Sequence, residues 1–272
     1  MRASEWVQIG FSVGLALLAW VRPLDARHRF RIALLAIGVV ASILAVRFAL
    51  HGYLSSIVRD WLPAVLLLFP YWQAGEFFTG ANKRIEKRLG RIDERVMRWL
   101  GGSGLIGEEK GWATYFESAY LMCYPLVPVG LGVLYLAHHR AAADFYWVVV
   151  VLASDICFAI TVFVPAMPPR LLPEQSAPPS DEAGDVRKLN LEVLNRGSIQ
   201  AITFPSAHVA STMAAALVLV WFVPPAGVIF LAIAISIAIG AFLGRYHYFL
   251  DVVLGAIEAL LVFLVCVWIL RH

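Results

Sequence analysis

With 60% hydrophobic and only 15% charged residues, and a mean hydropathy of +0.75, the 272-residue chain carries more apolar surface than a water-soluble core of this size hides. A formal charge of +3, with the basic residues gathered in a few segments, does not suggest nucleic acid as a partner. Three cysteines, Cys123, Cys157 and Cys266, fall inside apolar runs without C-x-x-C spacing, which argues against a disulfide framework or a cysteine metal site and makes them small buried hydrophobes.

Uncharged runs of about 20 residues recur along the chain, each long enough at about 1.5 Å per residue to cross a hydrocarbon layer roughly 30 Å thick. The fold class predicted is an all-α, polytopic membrane helix bundle. Apolar length and flanking charge place eight spans near 6–21, 31–50, 57–78, 112–137, 145–164, 205–222, 226–243 and 249–270. The first run lacks a small-residue cleavage pattern and is followed by a second full span, so it reads as a retained helix. Pro63 and Pro70 interrupt the third, and seven spans with one re-entrant or interfacial element also fit. Between the third and fourth, Ile85, Leu89, Ile92, Val96 and Leu100 recur at helical spacing among Lys83, Arg84, Lys87, Arg88, Arg91, Arg95 and Arg98. This predicts an amphipathic helix near 82–100 on an anionic membrane surface, the alternative being a charged helix packed on the rest of the protein. From Pro165 to Thr203 the chain is polar, with Pro168, Pro169, Pro173, Pro178 and Pro179, and cannot span a membrane.

Three segments put ionisable residues at the edges of spans, where the cost of charge makes them functional candidates. In Pro165-Ala166-Met167-Pro168-Pro169-Arg170, prolines stop the fifth span and leave a guanidinium that can clamp a phosphate with two hydrogen bonds. In Phe204-Pro205-Ser206-Ala207-His208, Pro205 suits the first helical position, and Ser206, Ala207 and His208 form a first turn whose free N–H groups favour an anion. His208 there can donate a proton to a leaving oxygen. In Gly244-Arg245-Tyr246-His247-Tyr248-Phe249-Leu250-Asp251, helix from about His247 onward sets Asp251 one turn along the same face. The carboxylate then holds one ring nitrogen and leaves the other free to attack, with Arg245 as a second cation. With span seven reversing the chain, all three segments fall on one membrane face.

These residues resemble the type 2 phosphatidic acid phosphatase superfamily, whose three motifs occur in this order, and most of all its inositol phosphorylceramide synthase-like branch, in which a proline-rich turn ends in arginine and an arginine stands two residues before the histidine. The resemblance covers roughly residues 57–270. It implies two additional N-terminal helices (1–52) on a six-helix core (53–272). It makes His247 a nucleophile that becomes phosphohistidine, Asp251 its orienting group and His208 the general acid. Arg170, Arg245, Ser206 and the backbone at Ala207 and His208 become phosphoryl-binding groups, with no metal or cofactor required. Phe163 stands where the superfamily commonly has lysine, Ala241 where it has arginine and Ala207 where glycine is usual. The missing lysine requires another cation, or a less charged substrate such as a phosphodiester.

The function expected is a membrane lipid phosphatase or phosphotransferase acting on a phospholipid or polyprenyl (di)phosphate. Inositol-phosphate transfer to a lipid such as ceramide is the alternative, and a non-enzymatic headgroup binder or transporter is the rival from another class. Structural roles are expected for Arg47, Glu76, Glu117, Asp155 and Glu258, with Arg47–Glu258 as one pair and Glu117 or Asp155 as alternative headgroup ligands. Trp112, Tyr115, Tyr120, Tyr124 and Trp147 read as interface markers, and His138, His139 and Arg140 as a solvated loop opposite the motifs. Basic residues crowd the motif side (Arg22, Arg27, Arg29, Arg31, the amphipathic helix, Lys110, Arg170, Arg187, Lys188 and Arg196). The positive-inside rule would make that side cytoplasmic; the resemblance implies an extracytoplasmic site on a bacterial-type inner membrane. Because cations at a catalytic mouth also attract anionic lipid, the extracytoplasmic face is preferred.

Overall fold

A computed structural model describes residues 1–102, 110–172, 184–199 and 201–272. Pro173, Pro178 and Pro179 lie outside the described residues, as does the side chain of Lys110. The described residues are helical with no strand: α1 (Ala3–Val21), α2 (Ala26–Ala49), α3 (Gly52–Leu66), α4 (Leu68–Gly75), α5 (Lys83–Gly102), α6 (Lys110–Leu121), α7 (Cys123–Leu136), α8 (Ala143–Thr161), α9 (Gly184–Gly197), α10 (Ala207–Phe222), α11 (Pro224–Leu243) and α12 (Phe249–Arg271). Six of the described helical stretches are long and apolar enough to cross a membrane, and α6–α7 makes a seventh if that bent pair is one span. The all-α polytopic bundle predicted from the apolar runs is therefore the observed architecture.

Proline explains where the spans bend. The pair α3–α4 runs as one stretch from Gly52 to Gly75 despite Pro63 and Pro70, whereas α6 and α7 meet at 58°. Pro125 has no N–H to offer the carbonyl of Leu121, so the helical ladder is interrupted at Met122. The break falls in the fourth predicted span and not the third.

Helix α10 is the centre of the bundle, packed against α7, α8, α11 and α12. Its Val209, Ala210, Ala214, Ala215, Ala216, Val218 and Leu219 are fully buried, and the alanines let neighbouring backbones approach closely. At 16 residues it is about 24 Å long, short of a full span. The shortfall costs little because most of this helix faces protein. Helices α1 and α2 pack as a hairpin against α4 and α8. On the face opposite the motifs, α1 is tied down by Arg59–Glu5 (2.6 Å), Arg2–Asp60 (2.6 Å) and Ser4 Oγ donating to Asp144 (2.5 Å). Arg140, expected to be solvated, also pairs with Asp60 at 2.7 Å and donates to Ser56.

Several other expectations are corrected by packing. Trp147 and Tyr120 are 0% and 1% exposed, so neither marks an interface; the Trp147 indole donates to the Asp60 carbonyl. No Arg47–Glu258 pair forms: Arg47 lies over the Phe48 ring, and Glu258 accepts from the Cys157 thiol at 3.9 Å. Both Asp155 carboxylate oxygens are buried without a hydrogen-bond partner. All three cysteines are free and buried.

Helix α5 turns an acidic face inward. Asn82 accepts from the Arg84 N–H at 3.0 Å to open it, while its own N–H donates to the Pro165 carbonyl at 2.8 Å. The inward stripe includes Glu86, Leu89 and Asp93, and the Lys and Arg side chains of the opposite face point out. The apolar periodicity marks only part of this stripe; the two buried carboxylates lie on it as well. The polar segment after the first motif holds a further helix, α9, whose Asn190 and Leu194 are buried.

Candidate active site

The three motif segments meet at one end of the bundle, stitched largely through backbone. The first motif is held by α5 and by the third: Met167 N–H donates to Glu86 Oε1 (3.0 Å), Tyr248 Oη donates to the Met167 carbonyl (3.0 Å) and Arg170 N–H donates to the Arg245 carbonyl (3.0 Å). Ile202 N–H donates to the buried Ala166 carbonyl at 2.8 Å, which joins the approach to the second motif.

In the second motif, the expected helix start shifts by two residues. Ser206, not Pro205, opens α10: its side chain accepts from the Val209 N–H, the bond that makes serine a favoured N-cap. Pro205 precedes the cap after a cis Phe204–Pro205 peptide. Ser206 is fully buried, its N–H donates to the Asp251 carbonyl at 2.9 Å, and Ala207 N–H donates to Thr203 Oγ1 at 3.3 Å. These groups position the start of α10, and neither residue is among the described lining of the pocket that His208 and His247 share.

The third motif is a tight turn after α11. Tyr246 and His247 both donate their N–H to the Ala241 carbonyl, and Arg245 takes a left-handed backbone (φ 60°), uncommon outside glycine. Helix α12 begins at Phe249, so His247 precedes it and does not lie in its first turn. The reach to Asp251 survives: His247 Nδ1 stands 2.9 Å from Asp251 Oδ2. Asp251 is wholly buried and His247 is 4% exposed.

The other ring nitrogen, Nε2, faces His208 Nδ1 at 3.4 Å. That contact is satisfied when His247 gives its Nδ1 hydrogen to Asp251 and accepts from His208 through Nε2. Burial, and then the positive charge of Arg170, push the His247 imidazole down to about 3, so it is an unprotonated base at neutral pH.

A small pocket opens over the pair, its lining including Arg170, His208, His247, Tyr71, Tyr120 and Tyr246. Arg170 is the only Lys or Arg in that described lining. Arg245 instead lies 3.8 Å from Asp93 of α5. The geometry thus gathers His208, His247, Asp251 and Arg170, and leaves the side chains of Ser206, Ala207 and Arg245 in supporting positions. Phe163, at the place of the missing lysine, is 57% exposed beneath the Arg22 guanidinium, 5.2 Å from its ring.

Sequence reasoning missed a tyrosine wall. Tyr120 and Tyr246 stack at 4.0 Å, and Tyr120 and Tyr124 set ring edges against His208. Glu117 anchors this wall, accepting from Tyr246 Oη (2.5 Å), Asn190 Nδ2 (2.7 Å) and Arg187 Nη1 (2.6 Å). These partners bring α9 over the site and give Glu117 the structural role expected of it. Nothing in the spacing of Glu117, Arg187 and Tyr246 signals this, since the three are scattered over 130 residues of chain.

A family model described as the PAP2 superfamily matches residues 88–265, well over half of the chain and all three motif segments. No curated protein and no solved structure matches it. With the motifs in family order, the paired histidines in contact and the family match spanning both, the chain belongs to the PAP2 superfamily.

Proposed function

We propose that this protein is a membrane lipid phosphatase or phosphotransferase that works through a phosphohistidine on His247. The observation that carries the reading is the Asp251–His247–His208 relay beneath the Arg170 guanidinium. His247 Nε2 attacks the phosphorus of a lipid phosphate, the bond to the lipid oxygen breaks, and His208 gives that oxygen its proton. Asp251 orients the ring and stabilises the charge it acquires. Water or an alcohol then attacks the phosphohistidine, His208 takes the proton of the incoming hydroxyl, and the phosphorus–nitrogen bond breaks.

A phosphorus in line between the two rings needs more room than 3.4 Å, because hydrogen-bond reach alone takes about 2.6–3.2 Å on the acid's side. Substrate binding therefore separates the histidines. Arg170 holds the phosphoryl oxygens, and the backbone of the first and third motifs fixes its position.

A second reading, phosphodiester transfer as in the inositol phosphorylceramide synthase-like branch, is favoured by one observation. The described lining offers one guanidinium, which suits a singly charged diester better than a monoester. An extracytoplasmic site is part of the proposal; Arg187, counted in the motif-side excess, is paired with Glu117, so the charge bias is partly structural.

The test is phosphate release by purified protein from a panel of lipid monophosphates and diphosphates, with His247→Ala and His208→Ala alongside. Release that both variants abolish supports the phosphatase. No release without an added lipid alcohol, and histidine-dependent product with one, supports the transferase. Binding of the lipid phosphate with no turnover under either condition would leave a headgroup binder.

A further inference from the structure

Where the N-terminal hairpin meets the core, six buried side-chain atoms have no hydrogen-bond partner among the described residues: both amide atoms of Gln8, Ser12 Oγ, Gln73 Oε1 and both carboxylate oxygens of Asp155. All four residues are 2% exposed or less. None is in the described lining of the histidine pocket, and the reaction proposed above uses none of them.

Helix register gathers these side chains. Ser4, Gln8 and Ser12 follow at four-residue intervals on the buried face of α1, which Leu15 and Ala19 continue. Asp144 and Asp155 on α8, and Val162 at its end, stand eleven and seven residues apart, close to three and two helical turns, and so share one face. That face meets α1 at both ends: Ser4 Oγ donates to Asp144 Oδ1 at 2.5 Å, and Val162 packs in one cluster with Leu15 and Ala19. The two helices therefore run parallel, and Asp155 falls at the level of Ser12 and Leu15, in the middle of α1. From α4, Gln73 Nε2 donates to the Ser12 carbonyl at 3.1 Å and to the Ile32 carbonyl of α2 at 3.0 Å. These two bonds fix which way the amide faces and leave its oxygen as a free acceptor beside α1.

A carboxylate at this depth is costly as an isolated charge, because hydrocarbon supplies neither water nor a counter-ion. Helices α1, α4 and α8 contain no Lys or Arg to pair with it. Arg2 and Arg22, which flank α1, reach Asp60 and the Val162 carbonyl, and Arg31 of α2 turns to Glu76.

We propose that Asp155, Gln8, Ser12 and Gln73 form a binding site for a monovalent alkali cation, which locks the N-terminal hairpin to α8. The donors are all oxygens, two from the carboxylate and one from each of the other three, the ligand type that hard cations take. One carboxylate balances one positive charge, whereas a divalent ion would leave a net charge in the membrane interior. Gln8 Nε2 remains available to donate to the carboxylate. The lock ties α1 to a helix inside the segment matched by the family model and is independent of any phosphate substrate.

The test is thermal unfolding of the full-length protein in detergent, titrated with NaCl or KCl against N-methyl-D-glucamine chloride at constant ionic strength and pH. The wild-type Tm is expected to rise saturably, by several degrees, with at least one of the two alkali cations. Asp155→Asn keeps the side-chain volume and removes the charge, so its Tm should not depend on which cation is present. Ser12→Ala keeps the charge and removes one ligand, and should need roughly tenfold more cation for the same rise. A wild-type Tm equal in all three salts would reject the site and leave Asp155 as a protonated carboxyl bonded to the amides around it. A cation response that Asp155→Asn retains would reject it as well. Should Asp155→Asn not fold, equilibrium dialysis of the wild type with radioactive sodium or rubidium decides. A single saturable ion per chain, held more weakly by Ser12→Ala, supports the site; no saturable ion, or one that Ser12→Ala leaves unchanged, overturns it.

Discussion

Asp93 Oδ2 lies 3.8 Å from Arg245 Nη1, so a helix outside the central bundle reaches the cation two residues before His247. Asp93 is 1% exposed, and its other oxygen accepts from the Phe249 N–H at 2.9 Å, which caps the first turn of α12. One carboxylate therefore sits against both ends of the turn that carries His247.

That carboxylate sets a pH dependence. Burial, reinforced by the charge of Asp251, pushes Asp93 up to about 7 against the opposing Phe249 hydrogen bond and Arg245. The unfolded chain releases this proton near pH 4, so between about pH 4 and 7 the folded state binds more protons and stability falls as pH rises, levelling above 7. Asp93→Asn removes this slope. Thermal unfolding in detergent from pH 5 to 8 should show the wild-type Tm declining relative to the variant; parallel curves would refute it.

Asp251→Asn keeps the volume of a fully buried side chain and changes the hydrogen it exchanges with His247 Nδ1. The amide favours the tautomer that carries hydrogen on Nε2, the nitrogen that attacks in the mechanism proposed above. A loss of roughly 10³–10⁴-fold in kcat with KM little changed is expected, by analogy with the serine protease triad. Initial rates on any accepted lipid phosphate check it.

Glu117→Ala strands Arg187, Asn190 and Tyr246 together. Removing one side of a buried ion pair costs about 3–5 kcal/mol, so a marked drop in unfolding midpoint is expected. Glu117→Gln, which still accepts from Asn190 and Tyr246, should lose less.

Gly255 allows α12 to touch the second motif: an added Cβ would stand 2.6 Å from the Ser206 carbonyl oxygen. Gly255→Ala should destabilise by about 1–3 kcal/mol through overpacking, and should reduce kcat beyond what unfolding explains, because Ser206 caps the helix bearing His208. Activity measured well below the variant's Tm separates the two effects.

The parts of this architecture legible in sequence are those governed by local rules. Apolar length locates six or seven of the eight predicted spans, α10 being too short to count, and the four-residue interval between His247 and Asp251 anticipates their 2.9 Å contact even though the helix starts later than expected. The serine cap displaces the predicted proline start because the Ser206 side chain accepts the Val209 N–H, which the helix itself leaves without a partner. What stayed hidden depends on tertiary contact. A charged helix lying on lipid and one covering a site share the same periodicity, so the inward roles of Glu86 and Asp93 required knowing what α5 packs against. The tyrosine wall and α9 belong to the same class, joined by partners far apart in the chain.

The short α10 has a mechanical consequence. Outer helices such as α2 and α12, about 36 Å and 35 Å long, exceed a typical hydrocarbon layer and must tilt as bilayer thickness changes. Helix α10, enclosed by protein for most of its length, has little lipid contact through which to feel that tilt. Hydrophobic mismatch is absorbed by the perimeter, and the histidine at the head of α10 keeps its depth in membranes of unequal thickness.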